Sequence, residues 1–241
     1  MRKIYYTLTA LTLSLTSCND LLDRMPDNRL VIDSPEKVQQ ALTNAYPQIA
    51  TTLINEFSSD NIDDIGADNI YSNFLTRETA YWQPILEYNN VDGLQNIWDY
   101  HYKAIGQANA ALDAIETTLH NDASLNPAKG EALVARAYAH FCLVNLFSQA
   151  YNPNTSSSDL GIPYITRPEE EMNPQRQRGT VAQVYQQIAA DLEKGLPLID
   201  DSYYQMPKYH FNKKAAYAFA ARFYLYYQQW QKALDAANVV L

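Results

Sequence analysis

Thr180 and Gln183 stand at the head of a run in which Val181, Val184, Tyr185, Ile188, Leu192 and Leu196 recur every three or four residues. A threonine hydroxyl and a glutamine amide three residues on satisfy each other's free backbone donors, so the pair marks a helix start. The apolar spacing fixes the state of the run, because a 3.6-residue period puts those side chains on one face. Another helix start is expected at Ser34, where Pro35 occupies a first-turn position that tolerates its missing N–H. Val38, Leu42, Ala45, Ile49 and Leu53 then form the stripe. With 7 glycines in 241 residues and plentiful Ala, Leu and Gln, little in the chain opposes helix. The expected fold is all-α.

Six long helices are expected. Pro47 should kink the first. The second should open at Asp92, with Gln95 completing a capping box, and bury Leu94, Trp98, Tyr102, Ile105, Leu112, Ile115 and Leu119. The third starts at Asn126-Pro127 and runs to about Phe147, and the fourth runs from Thr180 to the Gly195-Pro197 stop. The fifth starts near Asn212 and the sixth after Gln228-Gln229. These last two carry Tyr217, Ala220-Ala221, Tyr224, Trp230, Ala233 and Ala237 at the spacings of a tetratricopeptide repeat (TPR). Small residues there let two helices approach, and aromatic rings fill the space beside them. Trp98 and Trp230 fall on apolar stripes and are expected in the core. Leu241 comes before the repeat's closing proline, so the chain reads as the N-terminal part of a longer protein.

The first 33 residues read differently. Arg2 and Lys3 precede an apolar stretch, Ile4 to Leu15, that is shorter than the about 20 residues a membrane helix needs. Residues 1–17 therefore read as a secretory signal peptide. Leu15-Thr16-Ser17-Cys18 resembles a bacterial lipobox, which implies a diacylglycerol thioether on Cys18 and cleavage before it. Residues 18–33 become an extended tether, and residues 34–241 the helical domain. Loss of Arg2 and Lys3 takes the formal net charge from −9 to −11. That balance opposes nucleic acid, whose phosphates need clustered cations. It also opposes polybasic docking to anionic lipid, leaving acyl chains as the anchor. With Cys18 lipidated, Cys142 has no partner for a disulfide and is expected to be a buried thiol.

Residues 55–92 and 149–179 show no sustained period. Irregular segments this long are usually functional or disordered, and the aromatic content of the first argues against disorder. The acids Asp60, Asp63, Asp64 and Asp68 do not make an EF-hand, because Gly66 in the turn position puts Ile65 where a ligand belongs. They are read as solvated. No metal site and no cofactor are expected. Arg136 reads as a structural arginine, and Arg176 and Arg178 as loop surface.

Several segments together resemble the N-terminal half of the SusD/RagB family, outer-membrane nutrient-uptake lipoproteins of Bacteroidota. Cys18-Asn19-Asp20-Leu21-Leu22-Asp23 is similar to the family's start after the lipobox. Trp98, Tyr102, Ile105 and Asn109 match its W-x3-Y-x2-I-x3-N helix. Ala135-Arg136-Ala137-Tyr138, Phe141, Leu143 and Phe147 resemble its next helix, and Gly161-Ile162-Pro163-Tyr164 its G-I-P-L turn. Arg178-Gly179-Thr180-Val181, Tyr185, Ile188 and Asp191-Leu192 match its R-x-T-V stretch. The resemblance implies a TPR-like helical scaffold with long loops. It also implies a lipid-anchored position on the outer membrane, facing the cell exterior. The role implied is capture of glycans or peptides for a SusC-like TonB-dependent transporter.

Sugar recognition needs flat aromatic faces and polar side chains for hydroxyls. Asp68, Asn69, Tyr71, Asn73, Tyr81, Trp82 and Tyr88 supply both, with Trp82 foremost as the Trp off any helical stripe. No G-x-S-x-G, H-E-x-x-H or glycine-rich phosphate loop is present, and His101, His120, His140 and His210 lack ligand spacing. The expectation is a non-catalytic binding lipoprotein that takes an oligosaccharide. The alternative is a TPR-like envelope scaffold whose only ligands are proteins or peptides.

Overall fold

The computed structural model describes residues 31–66, 74–85, 90–169 and 176–241. Among them run α1 (Pro35–Thr43), α2 (Thr52–Phe57), α3 (Phe74–Ala80), α4 (Leu94–Asp113), α5 (Asn126–Phe147), α6 (Val181–Gly195), α7 (Lys213–Tyr226) and α8 (Trp230–Val240). No β-strand forms among the described residues, and Leu160 and Thr180 make an isolated antiparallel bridge. The chain divides into two units, Met1–Val31 and Ile32–Leu241, and all these helices belong to the second. Among the described residues no helix is long and apolar enough to cross a membrane.

α5 is the spine. Ala132, Val134, Ala135, Ala137, Ala139, Phe141, Leu143 and Val144 are buried around its whole circumference, the pattern of a helix enclosed by others. It packs along both α4 and α6. The α5–α6 contact closes on two glycines. A β-carbon on Gly130 would lie 2.8 Å from the Gly195 carbonyl oxygen, and one on Gly195 would lie 2.9 Å from that of Gly130. α6 forms as its signals require: the Thr180–Gln183 capping box is complete, and Val181, Val184, Tyr185, Ile188 and Leu192 are buried.

Several expectations are corrected. Pro47 ends a helix instead of kinking it: α1 stops at Thr43, and α2 starts afresh at Thr52. Proline has no N–H for the Thr43 carbonyl and disfavours helix at Tyr46 before it. Ala45, Ile49 and Ile54 still reach the core. α4 opens at Leu94 after an extended Gly93, not at Asp92. The Gln95 amide turns along the helix to Asp99, 2.9 Å away, and leaves no box to close. The most buried face of α4 is Ile97, His101, Ala104, Ile105, Ala108 and Ala111, with Trp98 and Tyr102 at its edge. Trp98 is packed all the same, edge-on to Phe147 with ring centres 5.0 Å apart.

α7 and α8 form the expected helix pair, with Ala216, Ala220, Phe223 and Tyr224 against Ala233 and Ala236. Trp230 is not in the core; it is 62% exposed. At about 100° per residue, the Ala233–Ala236 stripe lies roughly a quarter turn from it.

The irregular residues 160–167 are strapped to the helices by side chains. Tyr102 donates to the Pro163 carbonyl at 2.8 Å, and Asn109 to those of Ile165 and Arg167 at 3.0 and 3.3 Å. The Ile165 N–H donates to His140 Nε2 at 3.1 Å. Arg136 is the paired structural arginine expected of it, held by Asp191. Arg178 lies exposed in the loop as expected, and it is tied there: its Nε donates to the Gly161 carbonyl at 2.5 Å, and its guanidinium reaches the last carbonyl of α5, Phe147, at 3.4 Å. A cation there also answers the negative end of the helix dipole.

Candidate functional site

α3 rests on a small apolar cluster of its own. Leu75 is buried with Ile49, Ile54 and Ile97, and Ile85 packs beside them just after the helix. Leu75 and Thr79 turn inward, and the Thr79 hydroxyl donates to the Leu75 carbonyl at 2.7 Å. The outer stripe, at helical spacing, is Phe74, Arg77 and Tyr81. The Arg77 guanidinium lies 5.0 Å over the Phe74 ring.

The helix ends in an unusual way. The Trp82 N–H donates to Thr79 O at 3.1 Å and the Gln83 N–H to Glu78 O at 2.8 Å. That pair of bonds is a Schellman turn, which places Trp82 at the left-handed position that glycine normally fills. Trp82 has φ +54°. A bulky side chain in this region is a strained outlier. The strain yields no packing, since Trp82 is 80% exposed.

Tyr81, beside it, donates its hydroxyl to an Asp64 oxygen, and the other Asp64 oxygen accepts the Gly66 N–H at 2.7 Å. The Tyr81 bond, then the Gly66 bond, hold the Asp64 carboxyl below its ordinary range. The same hydrogen bond and the carboxylate charge push the Tyr81 hydroxyl up. Asp64 is therefore a bonded acid and not merely a solvated one, whereas Asp60 is exposed as expected.

The structure thus brings Tyr81 and Trp82 together on one outward face. Asp68, Asn69, Tyr71, Asn73 and Tyr88 lie outside the described residues, as does Cys18. Phe74, Arg77 and Asp64 join the face without having been singled out as ligand residues. The 74–77–81 spacing carried a signal for two of them. The face is a platform, separate from the apolar groove of about 230 Å³ that Leu94, Gln95, Trp98 and Phe147 line. Among the described residues no group of three or more His, Cys, Asp or Glu is placed to hold a metal ion. Cys142 is half-buried, and burial pushes its thiol up to about 11.

The geometry finds company among known proteins. A SusD-like protein P2 from Formosa agariphila is 25% identical over 260 residues, covering all of this chain and 46% of the relative. The crystal structure of a SusD superfamily protein from Bacteroides thetaiotaomicron superposes with a TM-score of 0.66 at 25% identity, over 85% of this chain and 45% of that one. A laminarin-binding SusD-like protein superposes with a TM-score of 0.63 at 19% identity, over 86% of this chain and 43% of its own. The chain thus spans less than half the length of these proteins. Residues 20–225 match the SusD-like family model described as starch-binding and associating with the outer membrane, and the chain belongs to that family.

Proposed function

We propose that this chain is the ligand-capturing N-terminal part of a surface lipoprotein that binds an oligosaccharide and passes it to a TonB-dependent, SusC-like transporter. Trp82 carries the reading. A large aromatic ring is held in a costly backbone conformation and is 80% exposed to solvent. Strain of this kind is kept where a function needs it. An indole face stacks on the C–H face of a pyranose, and Tyr81 and Phe74 extend the surface. Arg77 offers donors for hydroxyls. The family description as starch-binding, and the laminarin-binding neighbour, support a glycan over other ligands. Binding here needs no bond-making group, in keeping with a non-catalytic role.

Residues 1–17 would be removed on export, Cys18 would carry the acyl chains, and residues 18–33 would tether the helical body to the outer membrane, facing outward. Cys18→Ser should release the mature protein from membranes and abolish acyl labelling. A variant that stays membrane-bound sinks the anchor.

Titration calorimetry of the full-length protein with soluble starch, laminarin and mixed peptides tests the capture role. Heat with a glycan that disappears in Trp82→Ala supports it. A complete absence of heat, while a barrel transporter still co-purifies, would leave the scaffold reading in its place.

A further inference from the structure

We infer that Asp64 is a positioning residue for Trp82, acting through the Tyr81 hydroxyl. The inference rests on the reading of Trp82 as the ligand platform, but its own evidence is the geometry around the turn.

Trp82 follows directly on a helix end and is largely exposed. Its orientation is set by the backbone on either side. Downstream, Ile85 is packed in the small cluster under α3. Upstream, Leu75 holds the helix to the same cluster, and Thr79 is buried as well. These anchors fix the inner side of the turn and leave its outer side free to rock. The outer side is where Tyr81 reaches across to Asp64, 17 residues earlier. Asp64 is itself fixed, because its second oxygen takes the N–H of Gly66, whose φ of +68° folds the loop back on the carboxylate. A Schellman turn with tryptophan at the left-handed site competes with other backbone states for that residue. A second tie on the neighbouring side chain narrows the choice.

The bond also settles what Tyr81 can do. Its hydroxyl donates to Asp64, so its donor is spent within the protein. Tyr81 offers a ligand its ring face, and the hydroxyl holds the turn. The raised Tyr81 hydroxyl and lowered Asp64 carboxyl both favour the bonded arrangement of a neutral phenol on a carboxylate. Arg77, one helical turn before Tyr81, acts on the same hydroxyl in the opposite sense. It does not replace the tie, because a guanidinium offers no acceptor.

Protein carrying 5-fluorotryptophan gives separate fluorine resonances for Trp82, Trp98 and Trp230, each assigned by its Trp→Phe variant. Without any glycan, Tyr81→Phe should shift and broaden the Trp82 resonance while leaving those of Trp98 and Trp230 in place. Asp64→Ala should do the same, and Asp64→Asn, which keeps an acceptor, should fall between it and wild type. In calorimetry with soluble starch and laminarin, Tyr81→Phe should weaken binding about five- to tenfold through lost preorganisation. Thermal unfolding of each variant reports whether the fold is intact. An unaltered Trp82 resonance in both Tyr81→Phe and Asp64→Ala overturns the inference, whatever binding does. If the resonance moves but Trp82→Ala binds both glycans as wild type does, the positioning stands and the platform reading falls.

Discussion

The guanidinium of Arg136 grips the carboxylate of Asp191 with two bonds, Nε to Oδ2 at 2.7 Å and a terminal nitrogen to Oδ1 at 2.6 Å, and both side chains are buried. Its other terminal nitrogen donates to Asn109 at 2.8 Å and to the Thr166 carbonyl at 3.2 Å, and Tyr164 adds a bond to Asp191 at 2.6 Å. Burial alone would lower the Arg136 pKa, but the bonds and charge of Asp191 outweigh it and hold it above its ordinary value. Removing either partner leaves the other charge buried and alone. Asp191→Asn or Arg136→Met should each cost about 3–5 kcal/mol in urea unfolding. Arg136→Lys should recover only a part, since an ammonium cannot make the paired bonds.

His140 should make the protein acid-labile. Ile165 N–H can only donate, so Nε2 must accept, and Nδ1 carries the proton to the Arg136 carbonyl at 2.9 Å. The ring is locked neutral, stacked on Tyr164 at 3.8 Å and edge-on to Tyr102, with Arg136 close by. Burial first, and the Arg136 charge after it, lower its pKa to about 3. The unfolded chain takes up this proton near pH 6.5 and the folded chain does not, so stability should fall as pH drops from about 6.5 toward 3. The loss should reach a few kcal/mol, with His101, also lowered by burial, adding to it. His140→Gln should flatten the slope of unfolding free energy against pH. A slope unchanged in that variant would exclude His140 as the source.

Gly130 and Gly195 should tolerate no larger residue. A methyl group on either meets a backbone carbonyl across the helix crossing, and backbone cannot rotate away as a side chain can. Gly130→Ala should lower the melting temperature through about 1–3 kcal/mol of overpacking, although alanine is the better helix former. Gly106, whose added methyl meets nothing within 4 Å, is the control. Gly106→Ala should stabilise α4 by about 0.5–1 kcal/mol.

Trp82 should separate stability from binding. Trp82→Gly removes the left-handed penalty and should raise stability by about 1 kcal/mol. Trp82→Ala keeps the penalty and should raise it little. Both should lose glycan binding. A residue held for structure gives the opposite result, with Trp82→Gly the less stable protein.

Much of the fold was legible because its signals are local. Thr180 with Gln183, and Asn212, each set a helix start within four residues, whereas Asn126 is already helical after Leu125 and caps nothing. The errors arose where local signals competed or small residues carried the contact. Gln95 could serve a cap or Asp99, and the sequence does not weigh them. The true face of α4 runs through Ala104, Ala108 and Ala111, which a search for large apolar residues passes over. At the site, Trp82 stood out as a tryptophan off any stripe. Asp64, the partner of the neighbouring Tyr81, did not, because a side chain 17 residues from that tyrosine is chosen by how two segments meet on the small cluster under α3. Arg178 reads correctly as loop surface, but its acceptors were not legible for the same reason, being backbone carbonyls at residues 147, 160 and 161.

The strap at residues 160–167 has no regular structure, yet side chains of α4 and α5 occupy its carbonyls and the Ile165 amide, and its Tyr164 hydroxyl donates to Asp191 of α6. The Ile165 amide should consequently exchange slowly, at a rate set by opening of the helical core and not by loop fraying. It behaves as a beam laid across three helices. Any motion of these helices has to carry this beam with them, as one body.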